Sequence, residues 1–298
     1  MTENMLHIPV LLNEIMRLMN PHPGELFIDG TADGGGHALA MIGKIGVKGT
    51  FLGLDWDEGM TKRLRERLAK EKGTIIIEHA NYAEVKNIAR LHGLGKADGL
   101  LLDLGFSSMQ LEDERGISFQ KDEPLDMRYN RSEEGMTAAD AINGLSEMEL
   151  ADVIYRYGEE RMSRRIAKRI VEERKKARIL TTKRLVDIVA AAVGRGYEKG
   201  RIHPATRVFQ ALRIFVNSEL NNLEHVLADL SEIMGPGGRV AIISFHSLED
   251  RIVKTRFREM EYDGKGRALT KKPIMATEEE IRQNPRSRSA KLRVFQMA

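Results

Sequence analysis

The sequence predicts an α/β fold built on a parallel sheet, interrupted by a long helical insertion. Three observations carry this. Short apolar runs alternate with helix-compatible stretches as far as Gly105, and three of those runs end on an aspartate: Asp29, Asp55 and Asp103. From about Gln110 to about Asn217 no strand pattern occurs. A further apolar run, Arg239 to Ser244, then resumes the alternation. Strands alternating with helices imply right-handed parallel crossovers, and near-continuous apolar strands suit a sheet covered on both faces.

In chain order, Val10 to Met19 reads as an amphipathic helix stopped by Asn20-Pro21-His22-Pro23-Gly24. Leu26 to Asp29 is the first core strand and Thr50 to Asp55 the second, followed by a charged helix through Met60–Leu68. Thr74 to His79 is the third strand, Tyr82 to His92 a helix, and Asp98 to Asp103 the fourth strand. After a loop through Glu114–Asn130, helices are expected at Thr137–Ile142, Ser146–Tyr157, Glu159–Lys176 and Thr182–Val193. This stretch is too long for a loop and reads as an inserted domain. One long helix is expected from Pro204, which suits a first helical position, to Ile233, with Gly235-Pro236-Gly237-Gly238 as its stop. A fifth strand, Arg239 to Ser244, precedes a basic helix from about Leu248 to Met260; Pro273–Ala276 and Lys291–Gln296 are weaker strands. The expected domains are residues 1–109 and 218–298 for the sheet and 110–217 for the insertion.

With 298 residues, 42% of them hydrophobic, the chain can bury a substantial core. No apolar run is long enough to span a membrane, and the N-terminus lacks the basic-then-apolar order of a signal peptide, so a cytoplasmic protein is expected. Cysteine is absent, which excludes disulfides and thiolate chemistry. Without cysteine or a His-x-x-x-His pair, no metal site is expected. The net charge is +3 and the isoelectric point about 9.0. The basic residues gather in two runs, Arg161–Lys176 with Arg178, and Arg286–Arg293. Either run could neutralise phosphates, although a charge run is more commonly a solvated helix face.

The stretch around which the chain is organised is Phe27-Ile28-Asp29-Gly30-Thr31-Ala32-Asp33-Gly34-Gly35-Gly36-His37. Strand, glycine turn and helix bring backbone close to a nucleotide-like ligand. The stretch departs from G-x-G-x-x-G, and Asp29 and Asp33 would repel a pyrophosphate while suiting an amine or a cationic centre. Asp55 stands where a carboxylate would accept hydrogen bonds from ribose hydroxyls; its plainer reading is a cap on the following helix. Past the fourth strand, Asp103-Leu104-Gly105-Phe106-Ser107-Ser108 assembles a carboxylate, a glycine, a ring and two hydroxyls. Acceptors of this kind can hold the hydrogens of an exocyclic base amine and aim its lone pair at a methyl donor; the plainer reading is a turn with N-cap serines.

These motifs recur together with Pro124-Leu125-Asp126-Met127-Arg128, Tyr157-Gly158-Glu159-Glu160-Arg161, His203-Pro204-Ala205-Thr206-Arg207 and Ser244-Phe245-His246-Ser247-Leu248-Glu249-Asp250-Arg251. Their combination resembles the bacterial ribosomal RNA small subunit methyltransferase H family, also called MraW, from His7 to about Arg293. The resemblance implies a class I (Rossmann-like) S-adenosylmethionine-dependent methyltransferase domain with an inserted all-helical, substrate-recognising domain. It implies methylation of N4 of a cytidine in the decoding region of 16S rRNA, with the small ribosomal subunit as partner. It places cofactor contacts on Gly34, Gly35, Gly36, His37, Asp55, Tyr82, Asp103 and Gln110. Tyr82 stands where the family often has Phe, a swap that keeps ring contact with the cofactor. The resemblance brings no settled catalytic base; Asp103, His203 and His246 are candidates.

Two other functions use the same sheet type. A nicotinamide oxidoreductase is disfavoured by the irregular glycine turn and by the residues after Asp103. A non-catalytic RNA-binding or assembly protein is disfavoured by the carboxylate-rich cleft. Because the chain has no thiol, pyrimidine C5 methylation through a covalent adduct is closed to it, which leaves direct transfer to N4.

Overall fold

The computed structural model describes residues 9–106, 113–194, 196–197 and 203–298. They fall into two compact units, one of Met1–Ser107 with Leu220–Ala298 and one of Ser108–Glu219.

The first unit is built on a sheet whose strands run in the order β3-β2-β1-β4-β5-β8-β6, with β7 also paired to β8. The strands are β1 (Leu26–Asp29), β2 (Thr50–Asp55), β3 (Thr74–His79), β4 (Ala97–Asp103), β5 (Met234–Ser244), β6 (Gly266–Ala268), β7 (Ile274–Met275) and β8 (Lys291–Met297). Strands β1 to β5 pair in parallel, and β8 runs antiparallel to β5, β6 and β7. The continuous apolar strands follow from cover on both faces. In β4, Leu100 and Leu102 join one buried cluster and Leu101 the other; in β5, Val240 and Ile242 oppose Ala241 and Ile243 in the same way. One face is covered by α4 (Val85–Leu91), α10 (Glu219–Ile233) and α11 (Ser247–Tyr262), the other by α1 (Leu12–Met19), α2 (Gly36–Ile45) and α3 (Glu58–Leu68). The strand order reverses direction between β1 and β4, the switch point at which open α/β sheets bind ligands beyond their carboxyl ends.

The second unit packs α5 (Ala138–Gly144), α6 (Glu147–Gly158), α7 (Ser163–Arg174), α8 (Thr182–Val193) and α9 (Ala205–Val216) around one apolar cluster. Helices α5 and α6 begin on reciprocal capping boxes, Thr137 with Asp140 and Ser146 with Glu149. A single bridge, Pro124 with Thr181, is the one strand-like pairing among this unit's described residues.

The structure differs from the sequence expectation in four places. The long helix from Pro204 is two helices, because Ser218 turns left-handed (φ 51°) and the Asn217 amide donates to the carbonyls of Met127 and Arg213. The helix ends at Ile233 as expected, but Gly235-Pro236-Gly237-Gly238 already lies inside β5 as a bulge, where the pairing jumps from Ala97–Met234 to Gly99–Arg239. The expected helix over Glu159–Lys176 starts only at Ser163, since Glu159 is left-handed (φ 50°). Strand β6 and a short helix, α12 (Glu278–Gln283), carry no periodic pattern and were not anticipated.

Candidate active site

Parallel pairing brings the carboxyl ends of β1, β2 and β4 to one edge of the sheet, and with them Asp29, Asp55 and Asp103. Asp29 is buried; its Oδ1 accepts the Thr31 amide at 3.1 Å and lies 3.5 Å from the Thr31 hydroxyl. That hydroxyl accepts the Asp103 amide at 2.6 Å. Thr31 therefore ties the ends of β1 and β4 together, a role visible only once the two strands are adjacent.

Asp55 accepts one backbone amide on each oxygen, Asp33 on Oδ2 and Asp57 on Oδ1, both at 2.8 Å. A carboxylate offers about four acceptor directions, so its orientation is fixed while capacity remains. The helix cap is a different residue: Asp57 Oδ1 receives the amides of Gly59 and Met60 at the start of α3. The plainer reading of Asp55 therefore belongs to its neighbour two positions on.

Asp103 Oδ1 accepts the Gly105 amide at 3.2 Å, and its Oδ2 lies 3.9 Å from Nδ1 of His37. The other His37 nitrogen, Nε2, is 3.0 Å from the Val10 carbonyl and must donate to it. Gly105 sits against Phe245, whose ring would lie 2.8 Å from an added Cβ and would have to shift to admit a side chain. The Asp-Leu-Gly-Phe and Ser-Phe-His-Ser motifs thus meet across β4 and β5.

These carboxylates titrate high. Burial raises Asp29 to about 7, with the Asp33 charge adding and the Thr31 hydrogen bonds opposing. Burial likewise raises Asp103 to about 7, against the Gly105 amide and with help from Asp29, Asp33 and Glu249. Asp55 also stands well above the usual carboxylate range, through burial first and Asp33 second. A cationic ligand would relieve all three.

The glycine turn supplies the opposite polarity. Gly35 (φ 78°) precedes α2, and no side chain caps that helix, so its first amides are available to an anion. Gly30 is crowded by Leu102 and by Cβ of Tyr82, at 2.6 and 3.0 Å from an added Cβ, which sets Tyr82 beside the turn. The cleft therefore offers ribose acceptors, carboxylates for a cation and helix amides for a carboxylate. S-Adenosylmethionine carries all three complementary groups, and the residues present fit it.

Of the sequence-predicted site residues, Gly34, Gly35, Gly36, His37, Asp55, Tyr82 and Asp103 border this one edge of the first unit. Gln110, Ser107 and Ser108 lie outside the described residues. The two histidine candidates serve helix starts. His203 is exposed in the second unit; its Nδ1 accepts the Ala205 amide at 3.2 Å and its ring packs on Phe119, 4.9 Å between centroids. His246 caps α11: Nδ1 accepts the Glu249 amide, and Glu249 in return accepts the amides of Phe245 and His246. Nε2 of His246 lies 3.1 Å from Glu249 Oε1.

The basic runs also divide. Arg293 is buried and donates to Asp250 at 2.7 Å, which removes it from the expected phosphate-binding set. In the other run, Arg169 and Lys176 pair with the buried Glu173 at 3.1 and 2.8 Å. Arg161, Arg164, Arg165, Lys168 and Lys175 are exposed and have no ion-pair partner among the described residues.

Residues 4–298 match the MraW methylase family. The chain is 47% identical over 296 residues to the ribosomal RNA small subunit methyltransferase H of Coprothermobacter proteolyticus, covering 99% of this chain and 97% of that one. It is 47% identical over 290 residues to the protein of the same name from Desulfotalea psychrophila, covering 97% of each. To that from Geobacter sp. it is 45% identical over 310 residues, covering 99% of each. A match along nearly the whole chain shows that the chain belongs to the MraW methylase family and that its cofactor is S-adenosylmethionine.

Proposed function

We propose that this chain methylates N4 of a cytidine in the decoding region of 16S rRNA, by direct attack of the base amine and with no enzyme-bound intermediate. The observation that carries the reading is Asp103. It is a carboxylate at the β1/β4 switch point, its backbone amide held by the Thr31 hydroxyl and its Oδ1 by the Gly105 amide, in a chain that has no thiol. Methylation at C5 needs a nucleophile that adds to the ring. An exocyclic amine needs only alignment and acceptors for its hydrogens.

When bound, the cofactor supplies a methyl group activated by positively charged sulfur. Asp55 directs its spare acceptor capacity to the ribose hydroxyls. The uncapped start of α2 would receive the carboxylate of the methionine portion, and Asp29, Asp33 and Asp103 would complement the positive charges. Tyr82 offers a ring beside the glycine turn. Toward the substrate, Asp103 would hold an amine hydrogen and take the proton that nitrogen loses as its bond to the methyl carbon replaces the carbon–sulfur bond, whose electron pair stays with the departing thioether sulfur. His203 and His246 each spend Nδ1 on a backbone amide at a helix start, which leaves Asp103 as the candidate this reading favours. The relatives are named for small-subunit ribosomal RNA, and the exposed cations of the helical unit suit that partner; residues 110–217 are the substrate-recognising part. A ribosomal substrate makes the enzyme cytoplasmic.

Nucleoside mass spectrometry of methylated RNA, compared with standards, tests the assignment. N4-methylcytidine is expected. Recovery of 5-methylcytidine, or a covalent complex trapped on RNA carrying 5-fluorocytidine, would overturn it.

A further inference from the structure

A run of three glycines has great conformational freedom, and a cofactor that orders such a run gives up affinity. The turn here is held before any ligand arrives. The Asp33 amide is fixed on Asp55, and the Gly35 amide donates to the Ala32 carbonyl at 2.8 Å. The third tie comes from α3: Nη1 of Arg67 donates to the Gly34 carbonyl. A trans peptide is planar and its carbonyl and amide point opposite ways. The Gly34–Gly35 peptide is thus gripped on both edges, by Arg67 on one side and Ala32 on the other. The stem of Arg67 also closes off the space over Gly35, its Cδ lying 3.4 Å from an added Cβ, beside the Leu64 methyl at 2.8 Å. That peptide plane sets the direction in which α2 begins, and so the aim of its first amides.

We propose that Arg67 is a positioning residue for the cofactor: it acts from behind the glycine turn, touches no ligand, and keeps the start of α2 aimed into the cleft. The inference rests on the reading of this cleft as the S-adenosylmethionine site. A guanidinium is always charged and its planar fork is stiff, which suits a permanent hold on one carbonyl better than a flexible amine does.

The test compares wild type, Arg67→Met and Arg67→Lys in the full chain. Methionine keeps the apolar stem over Gly35 and deletes the donor; lysine keeps a donor of looser geometry. Calorimetric titration should show Arg67→Met binding S-adenosylmethionine and S-adenosylhomocysteine about tenfold more weakly, with Arg67→Lys in between. Turnover at saturating cofactor should be unchanged in both, and the melting temperature of the ligand-free protein should hardly move. A merely structural arginine would lower the melting temperature and leave the affinity of the folded protein alone. Binding by Arg67→Met within about twofold of wild type overturns the proposal, and the Arg67→Lys titration decides it should the methionine variant not fold. Failure of wild type to bind either ligand overturns the cofactor reading itself, and this inference with it.

Discussion

Asp55 and Asp57 stand two positions apart at the end of β2, and only one of them caps a helix. Asp57 spends Oδ1 on two amides of α3, which leaves Asp55 aimed into the cleft beside Asp29, Asp33 and Asp103. Without a cation, burial first, with the neighbouring carboxylates adding to it, holds Asp29 and Asp103 at about 7. A carboxyl raised in the folded state above its unfolded value adds stability at pH below the unfolded value, near 4, and loses it as pH rises through the folded one. The ligand-free protein should therefore gain stability from these groups as the pH falls from about 7 toward about 4. Cofactor binding runs the other way, because a cationic ligand favours the ionised carboxylates. Affinity for S-adenosylmethionine should rise between about pH 6 and about pH 8, with release of protons on binding. Calorimetry in buffers of different ionisation enthalpy counts those protons. Asp103→Asn should fold, release fewer protons and lose turnover by about a hundredfold, since one acceptor oxygen becomes a donor. No release and a flat affinity profile would mean that the carboxyls are already ionised in the free protein.

At the scale of the element, Ser244-Phe245-His246-Ser247-Leu248-Glu249-Asp250-Arg251 has the look of chemistry but builds a helix start. His246 and Glu249 form a reciprocal capping box, and Asp250 pairs with Arg293 of β8. Removing an N-cap costs about 1 kcal/mol. His246→Ala should lower stability by that order, and His246→Asn, which can still cap, should recover it, with turnover kept in both. A catalytic imidazole would instead lose turnover in both, so paired melting and activity measurements separate the two roles. The same distinction explains what could be read from the chain alone. Strands β1, β2 and β3 have the bounds their apolar runs and flanking glycines suggest, and Asp29, Asp55 and Asp103 were identifiable as strand-end polar residues. Thr31, Arg67 and Asp57 were not singled out, because each acts through a neighbour supplied by tertiary structure: the β4 backbone, the glycine turn, a helix yet to begin. The break at Asn217 was hidden for a related reason. Helical periodicity continues on both sides, and what stops the helix is a side chain bonded to the remote carbonyl of Met127.

At the scale of the molecule, a net charge of +3 says little about a partner, and sorting the cations says more. In the helical unit the buried Glu173 gathers Arg169, Lys176 and Arg184, and the Arg184 pair ties α8 to α7. Arg161, Arg164, Arg165, Lys168 and Lys175 fall within an arc of about 100° at the helical period along α7 and its flanks, so their charges stay in water on a common face. From Arg164 to Lys175 that face extends about 16 Å at a rise of about 1.5 Å per residue, the scale of a few consecutive phosphates. If this face meets ribosomal RNA, each phosphate it neutralises releases counterions and steepens the fall of affinity with salt. Replacing Arg161, Arg164, Arg165 and Lys168 by alanine should then weaken RNA binding and reduce the slope of log K against log salt by about 3. Affinity for S-adenosylmethionine should hold. Arg169→Ala is the matched control: it removes a charge from the same helix, but one already committed to Glu173, and should move the melting temperature while leaving the salt slope alone. Binding of a small-subunit RNA fragment, followed by fluorescence anisotropy across a salt series, reads both variants. An unchanged slope in the fourfold variant would make the face a solvated one and send the search for the RNA surface elsewhere on the chain.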